Sequence, residues 1–434
     1  MTTDARNWRV PFFTIWIGQA VSLVGSHLVR FALVWWLTEV TGSAVALATA
    51  TTMFTLPSIF IGPFAGVLID RLPRKWVLII SDGSVAVFTA ILSLLFWLDV
   101  AQPWHVFAIM FLRAVGDSFQ SPAMMSTTPL MVPKDQYQRV AGMNATLFGI
   151  TSFAVPPLGA VLLGLLGVRG ILPLDVITAV AALLPLVFIP IPQPEASPAQ
   201  AKGAAGVLRD LGEGLRYIWD WRGMRWFMIS TLLWGVFMTP VFSFQPLLVT
   251  EYFRGGPVEL GWMSSGFGIG MLVGGAILSA WGGLPRRMAT SITGTVVTSL
   301  GRLAVALTPP GVWPLAIAGQ FIAGLGFSAH TSGMRAAEQA AVAPEMQGRF
   351  FAVSHAAFTG LTPISLAIFG PLADVWGVRP FWFLMPAAGL VLAAVRRAIP
   401  GIYHMEDAGA DGRARAEGVP ALRPAGVTVA EDVD

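Results

Sequence analysis

The chain has 434 residues, of which 55% are hydrophobic, 11% aromatic and 12% charged. Soluble domains carry about 25% charged residues, so this composition, with a mean hydropathy of +0.69, excludes a soluble globular protein and a disordered one. A net charge of +3 and the absence of cysteine also exclude a broad nucleic-acid-binding face, disulfides, thiolate metal sites and cysteine nucleophiles.

A helix needs about 20 apolar residues to cross the hydrocarbon core. Twelve such runs are predicted in chain order, at roughly 12–36, 44–69, 76–98, 104–125, 140–166, 171–190, 226–249, 260–281, 288–307, 312–334, 350–372 and 381–399. The ten-residue alternation of a membrane barrel is absent. The first run lacks a small-residue cleavage site and reads as a retained span. The expected fold is therefore all-α and integral to the membrane, with twelve transmembrane helices as two six-helix pseudo-repeats around a central cavity. Placing both termini inside leaves only Arg169, Arg254 and Arg379 outside, with Arg30, Arg113 and Arg302 within spans; every other Lys and Arg faces the cytoplasm. That asymmetry sets the orientation.

Residues 191–225 begin as a Pro-rich linker and continue from Val207 into charges interleaved with apolar residues at helical spacing, an amphipathic helix for the inner membrane surface. The expected organisation is a first bundle over 1–190, this linker over 191–225, a second bundle over 226–400 and a flexible cytoplasmic tail over 401–434. The halves echo each other. Leu72-Pro73-Arg74-Lys75 is matched by Leu284-Pro285-Arg286-Arg287, Gly167-Val168-Arg169 by Gly377-Val378-Arg379, and Arg139 by Arg349, in nearly one register. Parallel repeats of this kind place a shared cavity near the midplane, with access alternating by rocking.

Gly66-Val67-Leu68-Ile69-Asp70-Arg71-Leu72-Pro73-Arg74-Lys75 resembles the G-x-L-x-D-R-x-x-R-K loop of the major facilitator superfamily, matching at Gly66, Leu68, Asp70, Arg71, Arg74 and Lys75. Pro73 stands where the family often has Gly, and Gly282 stands where a second-half copy of Asp70 would be. The resemblance spans about residues 8–400 and implies that this loop latches the two halves on the cytoplasmic side. A helix N-terminus stabilises a nearby carboxylate by about 0.3–1 kcal/mol, and the start of span eleven, near Arg349, offers one; the plain alternative is a solvated turn. Gln19, Ser22 and Gly25, the turn Thr41-Gly42-Ser43, Asp82, Arg113, Asp175 and the Leu211–Tyr217 stretch resemble the drug:proton antiporter branch, in its macrolide-efflux-like group. Val155-Pro156-Pro157-Leu158-Gly159-Ala160 is similar to that branch's G-P-x-x-G-G signature, with Val155 and Ala160 replacing two glycines. This resemblance implies a monomeric, multi-pass transporter of the cell membrane (inner or plasma), with both termini cytoplasmic. It would export hydrophobic or amphiphilic small molecules in exchange for protons, without cofactor, metal or nucleic acid. Siderophore or other metabolite export, lysophospholipid transport and uptake symport stay open. An intramembrane enzyme would need a cluster of acids, metal ligands or a nucleophile–base pair, which the sequence lacks.

Ionisable groups inside a membrane are functional candidates by default. Arg113 and Asp117 share a helix face, and span ten sets Ala323 and Phe327 against them. Burial and a neighbouring arginine act on a carboxylate in opposite senses, so Asp117, with Arg113, Arg30 and His27, is the candidate proton-coupling group. A permanent ion pair is the alternative. Asp82 and Asp175 lie nearer span ends and read as structural, partnered by basic loops and helix termini. His330 and His355 read as interhelical hydrogen bonds. No internal carboxylate is expected in the second half. The candidate cavity wall comprises Gln19 with Trp234, Phe237, Met238, Phe242 and Gln245, and the Gly266-x-x-x-Gly270-x-x-x-Gly274 stripe is expected to serve helix packing.

Overall fold

The computed structural model describes residues 8–193 and 204–407, and only the backbone of Pro63, Val67, Asp70, Arg71, Ala204, Ala205 and Val207. The first half comprises α1 (Arg9–Thr41), α2 (Ala44–Arg71), α3 (Arg74–Trp97), α4 (Pro103–Met131) and a long α5 (Tyr137–Phe188), followed by α6 (Ala204–Asp220). The second comprises α7 (Arg222–Ser243), the single turn α8 (Gln245–Leu247) with a π turn at Leu248–Tyr252, then α9 (Pro257–Trp281), α10 (Arg287–Leu307), α11 (Trp313–Ala341), α12 (Pro344–Trp376), α13 (Phe381–Ala398) and the short α14 (Pro400–Tyr403).

Helix α5 is two antiparallel arms. Its first arm runs alongside α1, since Trp16 meets Asn144 and Phe31 meets Gly159. The second runs the other way, since Gly18 meets Ala182 and Gly25 meets Asp175. The reversal occurs at Gly167, with φ 64° and ψ 179°, a conformation that only glycine adopts without strain. Its repeat counterpart Gly377 has φ 77° and ψ 165°, so the matched Gly-Val-Arg triplets share one backbone turn.

Among the described residues nine helices are long and apolar enough to cross a membrane. One of these is α5, which supplies two spans; α4 and α11 complete the twelve. The latter two fall short in apolarity because they carry Arg113, Asp117 and Gln120, or Gln320 and His330.

The glycine stripe of α9 serves close packing in two directions. A Cβ on Gly266, Gly270 or Gly274 would lie 2.9, 2.1 or 2.8 Å from a carbonyl oxygen of α11, whereas one on Gly268 would lie 2.9 Å from Ser152 O in α5. Contact between the halves runs along α5–α9 and α2–α12. Ser265 donates to the Phe153 carbonyl at 2.7 Å, and a Cβ on Gly370 would sit 3.2 Å from Ala48 Cβ. The α2–α12 approach lies at the end of the bundle away from the termini. Toward the opposite end, Phe60, Phe64 and Leu68 of α2 and Phe148 of α5 are exposed.

Two readings of the segments outside the bundles change. The tail begins later than residue 401, because Ile402 and Met405 are buried against the second bundle and Asp407 pairs with Arg286 at 2.6 Å. Hydrogen bonds from Arg286 and His404 hold the Asp407 carboxyl below the usual carboxylate range; residues 408–434 lie outside the described residues. Helix α6 presents Leu208, Leu215 and Trp219 as an exposed apolar stripe, while Leu211 and Ile218 pack into the second bundle. It therefore docks on protein as well as offering a face to lipid; the Pro-rich part of the linker lies mostly outside the described residues.

Overpacking a tight helix contact costs about 1–3 kcal/mol. Gly270→Val should therefore lower the thermal unfolding midpoint of the purified protein by several degrees. Gly275→Val, whose nearest neighbour is the flexible Ser328 hydroxyl at 3.4 Å, should change it little.

Candidate functional site

The buried centre of the first half is an ion pair that joins α4 to the second arm of α5. Arg113 Nη1 lies 2.7 Å from Asp175 Oδ2, with the two side chains 8% and 1% exposed. Ser26 of α1 accepts from Arg113 Nη2 at 3.2 Å and donates to Asp175 Oδ1 at 3.1 Å. Thr89 of α3 plays the same double part, accepting from Arg113 Nη1 and donating to Asp175 Oδ2. Gly25 makes this possible, because a Cβ there would lie 2.4 Å from Thr178 Oγ1 and 3.0 Å from Asp175 Oδ1. Arg113 is thus committed to Asp175, not to Asp117. The expectation that Asp175 pairs with loops or helix termini is corrected by this geometry.

Asp117 has no hydrogen bond or ion pair among the described residues, although the charges of Arg113, Asp175 and Arg30 act on it. It lines a cavity of about 250 Å3 inside the first half, together with Gln19, Arg30, Asp82, Arg113 and Gln120. Asp82 is therefore a cavity residue, not an end-of-span structural one. Gln120 donates to Gln19 Oε1 at 2.6 Å, and Gln19 Nε2 donates to Asp82 Oδ2 at 2.5 Å. The predicted coupling residues Asp117, Arg113, Arg30 and His27 all line this cavity. Sequence reasoning missed the roles of Ser26, Thr89 and Gln120, although Ser22, Ser26 and Arg30 recur at four-residue spacing on one helix face.

A second cavity of about 490 Å3 lies between the halves, lined by Phe31 and Thr51 from the first and by Trp234, Met238, Phe242, Gln245, Phe327 and Phe358 from the second. Four of the predicted wall residues are there. Gln19 belongs to the first-half cavity instead, and Phe237 is not among the lining residues, its ring packing on Phe369 at 6.2 Å. Phe327, the repeat counterpart of Asp117, faces this aromatic space. His27 and Arg30 line both cavities, and Arg30 stacks on Phe54 at 3.9 Å.

The second half answers its charges differently. Arg302 of α10 is 1% exposed and lies 4.4, 5.0 and 5.4 Å from the rings of Phe242, Phe267 and Trp382. His330 meets Ser291 and Thr295 at 3.1 and 2.9 Å, whereas His355 is exposed. An internal carboxylate is present after all: Glu338 is 2% exposed and lies 3.5 Å from Arg335. It escaped notice because α11 continues to Ala341, beyond the apolar run. Arg396, expected in the cytoplasm, is likewise buried and donates to Ser230 and Thr231.

At the end away from the termini, Asp374 of α12 caps the start of α2. It accepts from Ser43 Oγ at 2.7 Å and from the backbone N–H groups of Ala44 and Val45, a charge-assisted arrangement favoured by the helix dipole. Glu251 stands nearby; burial, and secondarily the Asp374 charge, push its carboxyl up. At the other end of α2 the side chains of Asp70 and Arg71 lie outside the described residues, and Gly66 faces open space. The motif's remaining bases act within the first half, Arg74 donating to the Ser126 carbonyl and Lys75 to that of Val187 at 2.7 Å. Arg349, at the start of α12, is held by Asp210 and Glu213 of α6 at 3.2 and 3.3 Å.

Residues 8–420 match the transmembrane secretion effector family. The chain belongs to that family, within the major facilitator superfamily. Its members are transporters, not enzymes, and this chain is a multi-pass membrane transporter with efflux-pump relatives. It is 30% identical over 395 residues to macrolide efflux protein A of Streptococcus pyogenes, covering 90% of this chain and 95% of the relative. It is 25% identical over 412 residues to the multidrug efflux pump Tap of Mycolicibacterium fortuitum, covering 92% and 98%. Among solved structures, a bacterial homologue of the human lysosomal transporter Spinster superposes with a TM-score of 0.66 at 12% identity, covering 94% of this chain and 99% of that one. A variant of the nucleoside transporter NupG gives 0.63 at 16% identity, covering 87% and 98%. These likenesses establish the twelve-span fold.

Breaking a buried ion pair from one side costs about 3–5 kcal/mol. Asp175→Ala should accordingly lower the yield and unfolding temperature of the purified protein far more than Asp117→Asn does. The Asp374 cap yields a separate expectation, read with Ala48→Cys in a chain that otherwise lacks cysteine. Losing a cap costs about 0.5–2 kcal/mol, so adding Asp374→Ala should raise maleimide labelling of that cysteine about two- to thirtyfold.

Proposed function

We propose that this transporter exports hydrophobic or amphiphilic small molecules of the macrolide and drug type, exchanging them for protons across the cell membrane. The observation that carries the reading is the shared wall of His27 and Arg30 between a cavity holding carboxylates and an aromatic cavity between the halves. The efflux relatives support the cargo class. Trp234, Met238, Phe242, Phe327 and Phe358 provide apolar surface that can repack around bulky shapes, and Gln245 offers one amide for orientation.

In the first-half site Asp82, Asp117 and Asp175 stand against Arg30 and Arg113. Arg113 is committed to Asp175 and Arg30 lies near Asp117, so one negative charge is left over when all are ionised. A proton on Asp117 neutralises that charge; so does a cationic group on a substrate. Competition between the two links cargo release to proton entry, with Arg30 reporting the charge state of one cavity to the other. With both termini cytoplasmic, the closed α2–α12 end faces outward and this conformation is open toward the cytoplasm, ready to load cargo. The protein works as a monomer, because both cavities are built within one chain.

The test is transport in proteoliposomes with a labelled macrolide and an imposed pH gradient. Asp117→Asn should abolish gradient-driven accumulation while leaving substrate exchange without a gradient within about twofold of the unsubstituted protein, since exchange requires no change of protonation. Asp117→Asn protein that still concentrates the macrolide when the gradient is imposed would overturn the assignment.

A further inference from the structure

Arg302 is a buried cation that no carboxylate approaches: among the described residues it takes part in no ion pair, and burial alone acts on it. Its Nε and Nη1 have no hydrogen-bond partner. The same region gathers other buried polar groups without partners, namely Ser299 Oγ, Trp382 Nε1 and both amide atoms of Gln320. Ser299 lies three residues before Arg302 on α10, so the two share a helix face. Trp382 is one of the rings over the guanidinium, at 5.4 Å. Gln320 of α11 faces α9: a Cβ on Gly266 would lie 3.7 Å from its Cβ, and the residue after Gly266, Phe267, carries a ring 5.0 Å from the guanidinium.

The inventory is one-sided. The guanidinium, the indole N–H, the amide NH2 and the hydroxyl all donate, while only the Gln320 carbonyl and the Ser299 oxygen can accept. Aromatic faces offset part of the cost of a buried charge, but rings accept the guanidinium hydrogens poorly and leave Nε and Nη1 unanswered. A donor set around a fixed positive charge is the chemistry of an anion site. The cavity between the halves lies close by: the Phe242 ring, 4.4 Å from the guanidinium, is one of its lining residues. Entry from that side requires the Phe242 ring to move.

We propose that Arg302, with Gln320, Ser299 and Trp382, forms a binding site for a monovalent anion in the second half. The occupant is either a free inorganic anion or the acidic group of a molecule in the central cavity; both present the same chemistry to the guanidinium. The site is independent of the proton-coupling reading, because it uses no residue of the first half.

The probe is bromide, which quenches indole fluorescence on contact, titrated into the purified full-length protein at constant ionic strength with gluconate as balance. Sixteen tryptophans contribute to the signal, so Trp382→Phe isolates the local component. The expected result is a saturable quenching component that is lost in Trp382→Phe and Arg302→Gln and weakened about tenfold or more in Gln320→Leu, the size expected for a hydrogen bond to a charged group. Bromide should also raise the unfolding midpoint of the unsubstituted protein relative to gluconate. A parallel titration with 1-naphthoate distinguishes the sources. Saturable, Arg302-dependent binding of naphthoate without saturable bromide quenching would assign the site to an organic acid. Linear quenching with no thermal shift from either anion would overturn the proposal, as would a saturable response that is the same in Arg302→Gln. If Arg302→Gln does not fold, Gln320→Leu decides, and unchanged anion affinity in that variant overturns the proposal as well.

Discussion

The bridge between Arg113 and Asp175 brings four helices of the first half to one point: α4 and α5 supply the charges, and α1 and α3 supply the hydroxyls of Ser26 and Thr89. In water such a pair is worth little, but inside hydrocarbon each charge without the other is a large penalty. The pair therefore acts less as a source of stability than as a constraint on which helix arrangements are permitted. It also decides the chemistry beside it. By engaging Arg113, it leaves Asp117 without an ion pair among the described residues, with Arg30 the other cation whose charge acts on it.

The two halves descend from one repeat but meet the cost of buried charge in different ways. The first half uses carboxylates, amides and hydroxyls, forming the relay from Gln120 through Gln19 to Asp82. The second surrounds Arg302 with Phe242, Phe267 and Trp382, and Phe327 replaces the acid at the position equivalent to Asp117. The division matches the cavities. Among the residues lining the two cavities, carboxylates collect in the small space within the first bundle, and aromatic rings collect where the larger space opens between bundles. Carboxylates on both faces of the central cavity would demand charge compensation from every cargo molecule, whereas an aromatic face accepts many shapes without that requirement.

The sequence made the fold legible because hydropathy and the repeated Gly-Val-Arg triplets are local signals, each resting on a single physical cause. The turn at Gly167 shows the strength of such signals: a positive φ near extended ψ excludes other residues, so the glycine recurs at Gly377. The site was only half legible. Helical spacing places Arg113 and Asp117 on one face but contains nothing about α5, which supplies Asp175 from 62 residues away. Distance from the span end says nothing of the cavity that Asp82 lines, because that space is formed with residues of α1 and α4. Glu338 lies beyond its apolar run, and Arg396, at the end of the run 381–399, was assigned to the cytoplasm, yet both side chains are buried. Phe237 has the right composition for a cavity wall, but its position on α7 turns it toward Phe369. Every one of these failures concerns tertiary direction, which periodicity does not encode.

Helices α2 and α12 form one of the two seams between the halves. Asp374, near the end of α12, caps the start of α2, while the motif assigns Asp70, at the end of α2, to the start of α12. The first interaction is present and the second is what the resemblance implies; both would be the same chemistry at opposite ends of one helix pair, a carboxylate against the exposed N–H groups and dipole of its neighbour. If the bundles rock, closing one end of this pair draws the other apart, and one cap would exchange for the other. Each would be worth only about 0.3–1 kcal/mol, up to about 2 kcal/mol when partly buried, so such an exchange would leave the two conformations nearly balanced. A transporter needs that balance: if one state were favoured by several kcal/mol, the other would be populated too rarely to complete a cycle. Weak, reciprocal latches would therefore suit this fold better than one strong latch, because a ligand that binds one state only a few kcal/mol more tightly could then tip the equilibrium.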